Sequence, residues 1–133
     1  MQNNIQFFEM LEISNESATQ SAYSFPTEIG NIGEMKIKNI IAFSSDNAPF
    51  SPNARPVIDP ILFKSSYLKI AKKGKFIQAT SIPLEMLSPK SNNGLMFDFG
   101  GLQIDPKSCA IMIGKNDVSQ LGKVFMLGFV LEV

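Results

Sequence analysis

Histidine is absent from this 133-residue chain, and cysteine occurs once, at Cys109. Ser-His and Cys-His nucleophilic mechanisms need an imidazole to take the nucleophile's proton, so neither is available. Zinc sites built on imidazoles or on several thiolates are excluded by the same inventory. Cys109 opens the apolar run CAIMI, which reads as a buried, inert thiol. A lone cysteine forms no disulfide within the chain, so no oxidising compartment is required. A phosphate-cradling loop needs Gly-Lys followed by Ser or Thr. Gly74-Lys75, Gly114-Lys115 and Gly122-Lys123 all fail that test. Carboxylates are the remaining catalytic groups. Asp98 and Asp105 flank a turn and Asp59 lies among prolines. Nothing in that spacing sets the separation that paired acids need on a glycosidic bond, and solvated turn acids are the simpler reading. Asp46 and Asp59 would suit a lectin-like calcium loop, but the dense Asp/Asn run of such loops is missing. Asp98-Phe99-Gly100 spells a kinase magnesium triplet without the loops that accompany it. Gly30-Asn31-Ile32-Gly33 has the spacing of a KH loop without its flanking helices, and two glycines shaping a turn is the plainer account. No enzyme activity, metal or cofactor is expected.

Contact is the other chemistry available. Lys72, Lys73 and Lys75 make a basic hairpin tip. They serve either as solvated, edge-protecting lysines or as a contact with an anionic surface such as lipid head groups, nucleic acid or an acidic neighbouring subunit. Tyr23, Phe25 and Phe50 lie in loops beside prolines. Loop aromatics either pack down as local core or anchor a partner, because buried aromatics and arginine dominate interface energetics. Arg55, the only arginine, joins them as a candidate interface residue. Twelve basic and twelve acidic side chains give a net charge of zero. A dedicated nucleic-acid binder normally carries a basic surplus, so no specific nucleic-acid partner is expected. Copies of a neutral chain also lack like-charge repulsion.

The elements that position these residues are strands. Val124 to Val133 reads VFMLGFVLEV. Phe125, Leu127, Phe129, Leu131 and Val133 fall on one face, and Val124, Met126 and Val130 on the other with Gly128 between them. A strand apolar on both faces must be covered on both. Residues 5–13 are favoured as a strand over a short helix. Residues 14–33 read as a long loop, of the kind that is functional or hides a short strand. Residues 34–45 begin with clean alternation, placing Met35, Ile37, Asn39, Ile41 and Phe43 on one face and Lys36 and Lys38 on the other. Residues 46–60 are irregular, with prolines at Pro49, Pro52, Pro56 and Pro60 opposing both ladder and helix. Two strand-like runs, 66–72 and 76–82, flank Lys73-Gly74-Lys75 and predict a β-hairpin. A helical turn is expected over 83–87 after Pro83, and another turn at Asn92-Asn93-Gly94. Gly100-Gly101 predicts a bulge or strand break within 95–105. Residues 108–113 form a short strand and 114–122 a polar connection.

That makes seven or eight short strands without a long amphipathic helix, the pattern of a sandwich or barrel. An all-β, single jelly-roll sandwich of about eight antiparallel strands spanning 1–133 is the first expectation. An immunoglobulin-like sandwich is the second, although no Trp is present for its core. Residues 1–13 show no basic leader region, and Glu9 and Glu12 interrupt the apolar stretch, so no secretory signal is expected. Apolar runs fall far short of the roughly 20 residues that span a bilayer as a helix.

Tyr67-Leu68-Lys69-Ile70, the Lys-Gly-Lys turn, residues 76–82, Ile82-Pro83-Leu84 and Leu87 resemble the middle of small capsid proteins of tail-less, membrane-containing bacteriophages. The closing run GKVFMLGFVLEV is similar to the terminal strand of such jelly rolls. The resemblance covers about half the chain. Double jelly-roll major capsid proteins are generally longer; a single jelly roll of this size resembles the penton, or vertex, proteins of that lineage. The resemblance implies a non-enzymatic homopentamer at a fivefold vertex of the virion, made in the host cytoplasm. Its partners would be copies of itself, the major capsid protein and, by contact, the lipid membrane. The long loops 14–33 and 46–60 would carry the contacts. A carbohydrate- or receptor-binding jelly roll is the alternative, with Tyr23, Tyr67 or Phe50 standing in for the usual Trp platform.

Overall fold

The computed structural model describes residues 5–26, 29–48, 55–74, 79–89 and 97–133. Phe50, Lys75 and the Asn92-Asn93-Gly94 turn lie outside these residues. Eight strands follow in chain order: β1 Gln6–Ser14, β2 Ala22–Ser24, β3 Lys36–Phe43, β4 Tyr67–Ala71, β5 Ala79–Pro83, β6 Phe97–Leu102, β7 Ala110–Met112 and β8 Val124–Glu132. One short helix, α1 Pro60–Lys64, and several 3-10 turns join them.

The strands form two four-stranded sheets, β1-β8-β3-β6 and β2-β7-β4-β5. Every strand pairing is antiparallel. This order is that of a jelly roll. The pairs β1/β8, β2/β7, β3/β6 and β4/β5 nest like one long hairpin rolled into two layers, as the expected architecture requires. The immunoglobulin-like alternative does not give this order.

β8 is central because its sequence admits no other place. Its inner face carries Phe125, Leu127, Phe129 and Leu131, all buried in one core cluster with Leu68, Ile70, Ile82 and Ile111 of the second sheet. Ring contacts tie the layers: Tyr23 lies 6.4 Å from Phe125, and Phe25 meets Phe129 edge-on at 6.5 Å. On the outer face Met126 is also buried, Val130 is half-buried, and Gly128 is roofed by Phe8 and Phe43.

Two segments, β3 and the proline-rich stretch, depart from expectation, and the 14–33 segment takes one of its two expected forms. In β3 the expected face does not persist. Ile37 opposes Leu131 while Asn39 already opposes Val130, so Lys38 is an extra residue in the ladder. This bulge reverses the phase. Ile37, Ile40 and Ala42 point inward, and Asn39, Ile41 and Phe43 point outward. The 14–33 segment hides β2 and a 3-10 turn, Gly30–Gly33, which inserts buried Ile32 into the core. The proline-rich stretch ends in a helix after all, because Pro60 occupies the first helical turn, where its missing N–H costs nothing.

The predicted hairpin pairs β4 with β5, Ala71 lying opposite Ala79, while residues 75–78 of its expected turn and second arm lie outside the described residues. The helical turn is Leu84–Leu87, and Gly100 and Gly101 bend β6 with φ of 67° and 88°. The Asp98 carboxylate accepts the Gly100 N–H at 2.7 Å, so the kinase-like triplet is a turn device.

Candidate interaction surfaces

Four connections gather at one end of the sandwich, and a polar clamp holds three of them. Asn15 follows β1 and is fully buried. Its Nδ2 donates to Asn116 Oδ1 at 2.8 Å and to the Gln120 carbonyl at 3.1 Å. Asn116 Nδ2 donates back to Asn15 Oδ1 at 3.0 Å and to the carbonyls of Ser17 and Gln20 at 2.8 and 2.9 Å. Tyr23 Oη donates to Asn15 Oδ1 at 2.8 Å and accepts the N–H groups of Glu16 and Ser17 at 3.0 and 3.1 Å. Beside this group, Gln120 and Lys123 both donate to Asp59 Oδ2, at 2.9 and 3.0 Å, and Asp59 N donates to Gln120 Oε1 at 3.0 Å. The Gln120 and Lys123 hydrogen bonds hold the Asp59 carboxyl below its ordinary value. Buried polar atoms need such partners, and here they fasten the β1–β2, α1 and β7–β8 connections together.

This arrangement reassigns two candidate interface residues. Tyr23 is half-buried with its ring on Phe125 and its hydroxyl engaged in the clamp. Phe25 is core, only 3% exposed, because the edge-on contact with Phe129 fills the sandwich interior. Neither side chain is displayed to a partner. Asp59 belongs to the clamp, while Asp46 lines a separate pocket with Lys64 and Glu85. Asp98 faces Lys38 at 3.8 Å, and Asp105 accepts from Ser108 Oγ at 3.1 Å. Asp59, Asp98 and Asp105 thus each engage a different partner. Among the described residues no group of three His, Cys, Asp or Glu side chains is placed to hold a metal. Cys109 is buried; its Sγ accepts the Ala71 N–H at 3.3 Å, and desolvation pushes the thiol up.

The remaining described candidates are exposed but far apart. Arg55 begins the segment that joins β8 through a parallel bridge at Val57–Val124. Lys72 and Lys73 lie at the opposite end, where Lys72 bridges Ile104 and Lys73 N donates to the Gln103 carbonyl at 2.8 Å. There they rim a cleft of about 240 Å³ with Phe99 and Leu102.

An apolar display lies on the outer face of the β1-β8-β3-β6 sheet. Cross-strand register sets Phe8 opposite Val130, Met10 and Ile41 opposite Gly128, and Phe43 opposite Met126. Gly128 is required for this packing: a Cβ there would sit 2.7 Å from Phe8 Cζ and 3.3 Å from Phe43 Cε2. Phe8 is 54% exposed, and Met10, Ile41 and Val130 are half-buried. Sequence reasoning missed this patch because the β3 bulge decides that Ile41 and Phe43 join it. The signal present in the sequence was the apolar second face of β8. No family model, no curated protein and no solved structure matches this chain.

Proposed function

We propose that this chain is a non-enzymatic structural subunit of a virion, a small jelly-roll capsid protein of the penton or vertex kind. The carrying observation is the β1-β8-β3-β6 and β2-β7-β4-β5 topology, an architecture used by viral capsid domains. It is joined to an outer sheet face that displays Phe8, Met10, Ile41 and Val130 around Gly128. Exposed apolar surface of this kind marks an interaction site. Net neutrality leaves copies free to approach. Ring assembly would use heterologous contacts, one patch meeting a different one on the next copy. The neighbours in this reading are the major capsid protein and, through Lys72 and Lys73, anionic lipid head groups.

Native mass spectrometry tests the reading. The expected result is a species five times the mass of the 14.6-kDa chain, lost on Phe8→Asp or Val130→Asp substitution. A strict monomer at high concentration overturns it. The second reading, a carbohydrate-binding module, is favoured by one feature. Tyr67 is exposed on the outer face of the other sheet, in a cross-strand row with Met112 and Pro83. Binding on a glycan array that Tyr67→Ala abolishes would favour it.

A further inference from the structure

We infer that the gap between β5 and β6 is a binding site for one molecule of a single-chain anionic amphiphile, an alkyl chain carrying a phosphate, sulfate or carboxylate head. β5 and β6 are terminal strands of the two sheets. Thr80 of β5 pairs with Ile70 of β4. Cross-strand partners share a face, so Thr80 belongs to the inner face with Ile70. Ile70 is only 5% exposed, yet Thr80 is exposed. An inner-face residue left in water marks a place where the two layers do not meet. The gap there measures about 420 Å³. Its walls are Ile70 and Ile82 from one sheet and Phe99 and Leu102 from the other, with Lys72, Thr80 and Asp98 at the mouth. Lys72, Phe99 and Leu102 also line the smaller cleft beside Lys73, so the two form one trough.

The backbone holds this gap open. Gly100 and Gly101, with φ of 67° and 88°, bend β6. Beyond the bend the chain leaves one sheet at Leu102 and reaches the other at Ile104, which bridges Lys72. Lys73 N donates to Gln103 O at 2.8 Å, and Asp105 N donates to Ala71 O at 2.9 Å. These bonds close one end of the trough and fix the backbone of both lysines. The site is therefore formed before a ligand arrives, which lowers the cost of binding. Apolar walls with a few polar groups at the rim are the usual anatomy of a small-molecule site, and the volume lies near the lower end of the range of roughly 300–1,000 Å³. One alkyl chain suits such a space; a two-chain lipid exceeds it.

Charge fixes the head group. Lys72 and Lys73 are exposed and form no ion pair among the described residues. Asp98 is the only acid lining the trough, and it is already engaged. Its carboxylate accepts the Gly100 N–H at 2.7 Å and lies 3.8 Å from Lys38. An anionic head at the mouth thus meets two ammonium groups and can take charge-assisted hydrogen bonds from them. A cationic head meets the same two charges as repulsion. The inference uses the two lysines that the capsid reading gives to lipid head groups, but it needs neither ring nor virion.

Isothermal titration calorimetry with the full chain tests this, using dodecyl phosphate below its micelle-forming concentration and dodecyltrimethylammonium as its charge opposite. Dodecyl phosphate should fill a single site and bind about tenfold more tightly or better. The NMR shifts it causes should centre on Ile70, Thr80, Ile82 and Leu102. Lys72→Glu with Lys73→Glu leaves the backbone bonds in place and should reverse the preference. Thr80→Trp plugs the mouth and should abolish binding while the thermal transition stays cooperative. Should Thr80→Trp unfold the chain, the lysine pair decides alone. Binding to phosphatidylglycerol vesicles without binding of dodecyl phosphate assigns the lysines to a membrane surface and overturns the inference. Equal binding of the two amphiphiles, binding of neither, or shifts centred on Phe8 and Val130 also overturn it. Phe8→Asp, which should break the ring, should leave dodecyl phosphate binding unchanged. A strict monomer that binds dodecyl phosphate in the trough would defeat the capsid reading and leave this one intact.

Discussion

Asn15 shows how much a single buried amide can organise. Its side chain serves both Asn116 and Tyr23, and 101 residues of sequence separate it from Asn116. Asn15→Ala removes the donor to Asn116 Oδ1 and the 2.8 Å acceptor of the Tyr23 hydroxyl, so a loss of about 2–3 kcal/mol is expected in urea denaturation. Tyr23→Phe leaves the Asn15–Asn116 pair intact and should cost only about 1 kcal/mol. Asp59 adds a pH signature. Its carboxyl is held down by the bonds from Gln120 and Lys123, so the folded state binds that proton less readily than the unfolded chain. The resulting stabilisation is fully present above the unfolded value of 3.8 and is lost as pH falls through the lowered folded value. Asp59→Asn keeps the shape and deletes the charge. The stability gap between wild type and variant, followed by chemical denaturation across pH, should be constant above about pH 5 and close in acid. None of this was legible from residue types alone. Asn and Gln in a polar connection look solvated until the fold brings three connections to one point. Tyr23 and Phe25 are likewise ambiguous in sequence, because a loop aromatic turns inward only where the opposing sheet offers Phe125 and Phe129.

Elements were read more faithfully than side chains. β8 and the β4/β5 hairpin announce themselves through patterns contained within their own residues. The phase of β3 does not, because a bulge is a relation to partners: Lys38 is surplus only in relation to Leu131 and Val130, far along the chain. The same holds for the outer patch, whose members come from β1, β3 and β8. A deletion pair separates the bulge from ordinary ladder positions. Removing Lys38 leaves Ile37, Asn39 and Ile40 alternating against Leu131, Val130 and Phe129. The chain should still fold, losing the exposed and weak Lys38–Asp98 ion pair and some local twist. Removing Ile41 instead swaps the faces of Ala42 and Phe43. That variant should show no cooperative thermal transition, whereas the Lys38 deletion should retain one.

At the scale of the whole molecule, the nested pairing places the first strand beside the last, and β8 between β1 and β3. Contacts between residues this distant in sequence make for slow folding, on the order of milliseconds to seconds. A ribosome delivers the chain in the opposite order to the one the sheet needs. While residues 1–123 emerge, β1 and β3 have no central strand to pair with, and Phe7, Phe8 and Ile40 have nothing to shelter them. The jelly roll therefore closes only once β8 is clear of the ribosome. A nascent chain stalled with Lys123 at the tunnel exit should be cut rapidly by a probing protease. One stalled with a further thirty-odd residues of flexible linker after Val133 should resist, since only then can β8 slide between its neighbours.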